Sequence, residues 1–195
     1  MHEKGNKPQP KKDTTRYITL VAVGIALFVV LSLCLLTPVF ENYYLCLGYA
    51  VMAVYLYHFG VTAGTIVGAL GVVMYCLLIN GLRGMPGWAV GNIALGIILG
   101  LAVKATKRMP NKKSAHFIDV LAVVVATAVG ILLMKSTVET AIYAQPIIVR
   151  MGRNFYGFVA DVVMLLVSLP LCTILAKPAE AISKKIYAQT ATSEK

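Results

Sequence analysis

Charge is what this sequence has least of. Asp, Glu, Lys and Arg supply 13% of its 195 residues, about half the roughly 25% usual in a soluble domain. Such a chain has too little with which to face water, and a soluble globular domain is excluded. Acid is scarcer than base, with 8 carboxylates against 18 Lys and Arg. The four cysteines, Cys34, Cys46, Cys76 and Cys172, include no C-x-x-C pair, so neither a zinc site nor a disulfide framework is expected. His2, His58 and His116 are equally dispersed, and no metal cluster is expected. There is no G-x-x-x-x-G-K-[ST], no H-E-x-x-H and no G-x-S-x-G. No two carboxylates lie close enough in sequence to suggest a catalytic pair. No catalytic residue is assigned, and no cofactor or metal. A protein of this kind that moves a solute uphill must draw on an ion gradient or on a partner.

Long apolar runs are what the sequence has in abundance. Hydrophobic residues make up 58% of the chain and mean hydropathy is +0.78. A hydrocarbon layer of about 30 Å needs about 17–25 apolar residues in a helix. Six stretches meet or approach this: Tyr17–Leu36, Tyr43–Phe59, Ala63–Ile79, Trp88–Val103, Phe117–Met134 and Phe155–Ala176. The second and third are short and meet at Gly60, as a tight hairpin or one broken helix; the hairpin is favoured because the charges then balance. The expected fold is an all-α integral membrane protein with six transmembrane helices. Residues 16–187 form the membrane domain, residues 1–15 a disordered basic cytoplasmic tail and residues 188–195 a second disordered tail. The first run is too long for a signal peptide and no small-residue cleavage site follows it, so it reads as a retained span.

Charge placement orients the bundle. With six spans, one side holds Lys4, Lys7, Lys11, Lys12 and Arg16, then Lys104, Lys107, Arg108, Lys112 and Lys113, then Lys177, Lys184, Lys185 and Lys195. The other side has only Arg83, Lys135, Arg150 and Arg153. Basic residues accumulate on the cytoplasmic side, which places both termini inside. The net charge of +10 is thus read as lipid contact and topology rather than nucleic-acid binding. Outer connections are expected at Thr37–Asn42, Asn80–Gly87 and Lys135–Asn154.

Most of the polar chemistry falls on that outer side. The stretch Asn80-Gly-Leu-Arg-Gly-Met-Pro-Gly-Trp-Ala-Val-Gly-Asn92 reads as a structured turn opening the fourth span, with Gly81, Gly84, Pro86 and Gly87 breaking the helix. Trp88 and Asn92 are four residues apart and share a helix face. An aromatic plane beside an amide suits a small heterocyclic or amide-bearing molecule; an interfacial anchor beside a packing Asn is the plainer alternative. Arg83 suits a substrate carboxylate or a lipid head group. Asp161 lies about two turns into the last span, where an acid is costly and has a partner or a function. Arg150 and Arg153, just before that span, are its expected partners. Asn154, Tyr156, Glu139, Gln145, Glu41, Asn42, Tyr43 and Tyr44 complete a set of groups able to converge on one outward cavity. Small residues recur at Ala22 and Ala26, at Gly60, Gly64 and Gly68, and at Gly96 and Gly100, and are expected to pack helices closely.

From about Thr15 to Lys185 the chain resembles the substrate-binding S components of energy-coupling factor (ECF) vitamin transporters. The resemblance rests on six spans in about 190 residues, the basic N-terminus, Ala22-x-x-x-Ala26, and the Gly-Met-Pro-Gly-Trp-Ala-Val-Gly-Asn stretch. It implies a vitamin-binding subunit of a bacterial cell membrane, with no catalysis of its own. Ala22 and Ala26 would dock on a transmembrane T subunit, two cytosolic ATPases would supply energy, and the subunit would topple to release its load. Arg83, Trp88 and Asn92 would lie near the substrate, with Asn80, Tyr43, Asp161, Arg150, Arg153 and Asn154 as further candidates. Three outer arginines lean the choice of vitamin toward pantothenate, a carboxylate; pyridoxine, hydroxymethylpyrimidine, cobalamin, folate and riboflavin are the alternatives. Rival classes are a self-sufficient ion-coupled carrier with Asp161 as coupling acid, and a membrane enzyme or scaffold.

Overall fold

The computed structural model describes residues 14–34, 38–40, 43–80 and 85–187. Its elements run α1 (Thr14–Cys34), β1 (Pro38–Phe40), β2 (Tyr43–Tyr44), α2 (Gly48–His58), α3 (Val61–Tyr75), α4 (Met85–Thr106), α5 (Lys112–Thr127), α6 (Ser136–Tyr143), α7 (Ile147–Ile174) and α8 (Ala176–Tyr187). Two π-helical segments extend helices without a break: Cys76–Asn80 continues α3, and Ala128–Lys135 joins α5 to α6. Among the described residues, five stretches are long and apolar enough to cross a membrane: Thr14–Cys34, Val61–Ile79, Met85–Thr106, Lys112–Tyr143 and Ile147–Ile174. The sixth expected span is different. Its helix, α2, has 11 residues and is only about 16 Å long, roughly half the hydrocarbon thickness. The short antiparallel β1–β2 ribbon precedes it, pairing Pro38 with Tyr44 and Phe40 with Tyr43; it takes up part of the expected connection Thr37–Asn42 and the first two residues of the expected second span.

α2 and α3 form a hairpin rather than one broken helix. Gly60 turns the chain at φ +97°, a conformation open to glycine at little cost. A Cβ on Gly64 would meet Leu56 and one on Gly68 would meet Met52, so the two helices run antiparallel at close range. α4 packs against both helices of this hairpin, with Gly96 against Thr65 and Met52 and Gly100 against Val61 and Leu56. The glycine stripes are thus used up inside the bundle. The core joins Phe28 of α1, Tyr49, Met52 and Leu56 of α2, Val67 and Val72 of α3, Leu95 and Leu99 of α4, Val123 of α5 and Leu165 of α7.

Two connections depart from expectation. Lys135–Asn154 is helical apart from a turn at residues 144–146, where Ala144 takes a left-handed conformation (φ 51°) and Pro146 caps α7. The polar residues there are compatible with helix because their hydroxyls bond back to carbonyls: Thr137 Oγ1 donates to Leu133 O at 2.8 Å and Thr140 Oγ1 to Ser136 O at 2.8 Å. Pro86 and Gly87 likewise lie within the first turn of α4 rather than in a turn before it, where proline costs no helix bond. At the far end of α4, Thr106 Oγ1 donates to Asp119 Oδ1 at 2.7 Å and the Lys107 ammonium donates to the Tyr57 carbonyl, tying α2, α4 and α5 together.

Candidate functional site

The start of α4 gathers side chains from four helices. Trp88 Nε1–H donates to the Tyr49 hydroxyl at 2.8 Å; that hydroxyl donates to Asn92 Oδ1 at 2.8 Å; Asn92 Nδ2 donates to the Gly68 carbonyl at 3.0 Å. Tyr49 and Asn92 are fully buried. The shared face of Trp88 and Asn92 is real, yet both polar ends of Asn92 are engaged within the protein. Asn92 holds Tyr49, and Tyr49 holds the indole. The Trp88 ring is half-buried, with Tyr75 edge-on at 5.8 Å and the Lys135 ammonium 5.7 Å from its centroid.

Around the indole stands a buried ionic group. Glu139 lies 4.0 Å from Lys135 and 3.8 Å from Arg150. Asn154 Nδ2 donates to Glu139 Oε2 at 2.9 Å and to Ser136 Oγ at 3.0 Å. The Arg150 guanidinium stacks 3.8 Å from the centroid of the Tyr143 ring, a cation–π geometry. Arg150 Nε and Gln145 Oε1 are buried without a hydrogen-bond partner among the described residues. Gly87 admits this group: a Cβ there would lie 2.9 Å from Glu139 Cγ. The neighbouring crossing is tighter still. A Cβ on Gly91 would stand 2.7 Å from the Gly130 carbonyl oxygen, and one on Gly130 would stand 2.6 Å from that of Gly91.

Asp161 is buried on α7, beside the Tyr49 hydroxyl and within the field of Lys135. Its expected partners lie elsewhere. Arg150 is 11 positions away on the same helix, about 16 Å along the axis, and pairs with Glu139. Arg153 is exposed, on a different face from buried Asp161. Both precede the expected span Phe155–Ala176 but lie within α7, which begins at Ile147, two turns before Phe155. Arg83 lies outside the described residues, as do the side chains of Asn80 and Tyr43, whose backbones end the α3 π segment and open β2. Tyr49, Lys135 and Glu139 are the residues that sequence reasoning did not place at the centre. Ala22 and Ala26 sit on the exposed face of α1, beside exposed Ile18, Val23, Leu27 and Val30.

The described side chains offer aromatic planes, amides and two cations set against two acids. No group of three or more His, Cys, Asp or Glu that could hold a metal occurs among the described residues. No curated protein and no solved structure matches the chain. A family profile described as "ECF-type riboflavin transporter, S component" matches residues 12–177. The chain therefore belongs to that family of S components, multi-pass membrane subunits that bind a vitamin, catalyse no reaction themselves, and work with an energising ECF module.

Proposed function

We propose that this chain captures riboflavin from outside the cell and delivers it inward with a T subunit and two ATPases. The observation that carries this reading is the match of residues 12–177 to a family named for riboflavin. The chemistry near Trp88 supports it. Riboflavin is a flat, uncharged tricycle with a hydrogen-bonding edge and a polyhydroxyl tail. Trp88 supplies a stacking plane, and Lys135, Glu139, Arg150 and Asn154 supply donors and acceptors for the polar parts. Asn92 and Tyr49 act as positioning residues that hold the indole. Asp161, buried on α7, stays a candidate. Arg83, Asn80 and Tyr43 stay candidates on their sequence positions alone, and Arg153 is a weaker one because it is exposed.

The leaning toward pantothenate has no support in the family description.

In this reading six segments occupy the membrane. The sixth is made of α2 with the β1–β2 ribbon, and both termini face the cytoplasm; of the tails expected at 1–15 and 188–195, only Thr14 and Thr15 lie within the described residues, and they belong to α1. The exposed Ala22–Ala26 face of α1 docks on the T subunit. Purified protein titrated into riboflavin tests the central claim. Saturable quenching of flavin emission at one site is expected, with no competition from pantothenate. No quenching at micromolar protein, or displacement by pantothenate, would sink it.

A further inference from the structure

Two buried polar atoms near Glu139, Arg150 Nε and Gln145 Oε1, have no hydrogen-bond partner among the described residues. One is a donor and the other an acceptor. Their positions make them neighbours. Pro146 caps α7, so Gln145 is the residue before the cap and Arg150 the fourth of the helix. These two positions are the pair that commonly packs together at a helix start. The rest of the guanidinium is engaged. Its carbon lies 3.8 Å from the Tyr143 ring centroid, and Nη1 is 3.8 Å from Glu139 Oε2. Neither contact uses Nε–H. The two complementary atoms do not bond to each other either. A group that satisfies both must offer an acceptor and a donor at once. The free energy lost by leaving both buried and unpaired is then recovered when that group arrives.

We propose that Gln145 and Arg150 read a ring lactam on the ligand: Gln145 Oε1 accepts from the ring N–H, and Arg150 Nε–H donates to the adjoining ring carbonyl. This rests on the riboflavin reading and names the part of the vitamin that the start of α7 recognises. An open-chain amide is trans, with its N–H and C=O on opposite sides. A ring holds them cis, side by side, where one neighbouring donor–acceptor pair serves both. The pyrimidinedione ring of a flavin has such an edge, an N3–H flanked by two carbonyls.

The test titrates riboflavin and 3-methylriboflavin against the purified full chain and follows flavin emission. The native chain should bind the methyl analogue at least about tenfold more weakly, because the methyl removes the donor and leaves the Gln145 oxygen unpaired. Q145L should bind riboflavin about tenfold more weakly and no longer distinguish the two ligands. R150K keeps a cation for Glu139 but has no N–H at the Nε position. It should weaken riboflavin about tenfold and keep the methyl penalty. Without ligand, Q145L should be no less stable than the native chain, since it removes an unpaired buried acceptor; denaturation in mixed micelles is the check. Equal binding of both ligands by the native chain would overturn the proposal and leave the riboflavin reading standing. A methyl penalty that persists in Q145L, or undiminished riboflavin binding by R150K, also overturns it. An ordered water as the sole partner predicts equal binding of the two ligands and a less stable ligand-free Q145L; that pair of results refutes it. No riboflavin binding at all sinks both readings.

Discussion

Replacing Tyr49 with Phe removes one oxygen and breaks two hydrogen bonds. In the native protein that oxygen accepts from Trp88 and donates to Asn92, both at 2.8 Å. Y49F leaves an indole N–H and a fully buried amide oxygen without partners. Unsatisfied buried groups cost about 1–3 kcal/mol each in soluble proteins, but hydrogen bonds between membrane helices average about 0.6 kcal/mol. The expected loss of stability is therefore about 2 kcal/mol. The indole also loses its orientation, so riboflavin affinity should fall about tenfold. W88F alone should weaken binding as much, and the Y49F/W88F pair should be little worse than either single change, because both act through one contact. Stability is read by denaturation of the purified protein in mixed micelles, and affinity by quenching of flavin emission. Trp88 is the single tryptophan, so its emission reports directly on this site. A Y49F protein within about 0.5 kcal/mol of the original, the range of inconsequential surface changes, and with unaltered affinity would refute the reasoning. Additive effects of Y49F and W88F would refute the positioning role separately.

Four further outcomes are expected. G91A should cost about 2 kcal/mol or more, since its Cβ would stand 2.7 Å from a backbone oxygen that cannot swing aside. G152A, within α7 and with nothing within 4 Å of the new Cβ, should be neutral or stabilising by up to about 1 kcal/mol; the same denaturation assay compares them. A22L/A26L should leave riboflavin binding by the isolated chain intact and lower ECF-dependent uptake by cells at least about tenfold, a docking loss of roughly 1.4 kcal/mol or more; undiminished uptake would remove these alanines from the interface. Cys34 is exposed at the last residue of α1, whereas Cys46, Cys76 and Cys172 are buried. A membrane-impermeant maleimide should label intact cells through Cys34 and not label C34S; labelling only after permeabilisation would invert the proposed orientation.

The long spans were legible because a bilayer imposes a length and a polarity that few other environments do. The face shared by Trp88 and Asn92 was legible from a spacing of four. Tyr49 was not, because its role depends on the chain reversing at Gly60 and returning α3 beside α2. The connection around Glu139 was misread as a loop because Ser136, Thr137, Glu139 and Thr140 look like surface residues. In a helix, however, Thr137 and Thr140 donate to carbonyls four positions back, and Glu139 finds Asn154 and Arg150 on α7 and Lys135 one turn back on its own helix. Assigning Arg150 to Asp161 failed for a related reason. Proximity in a helical segment is measured in turns, and the acid facing Arg150 belongs to another helix.

The π segment at Ala128–Lys135 has a consequence for how the helix carrying it could change over time. A π-helix accommodates an extra residue in a continuous helix without a break. Here the widened stretch contains Gly130, where the chain meets Gly91, and it is followed directly by Ser136 and Glu139. Deleting one residue there would let the helix close to its ordinary pitch while the residues beyond it keep their direction, because the wider coil is what absorbs the extra residue. The same deletion in the regular stretch Lys112–Thr127 has no such slack: it would rotate everything beyond it by about 100° and swing Glu139 away from Arg150 and Asn154. The angular phase of this helix is thus a determinant of the site in its own right, one that the position of a single-codon deletion would spare or destroy without touching any of its members.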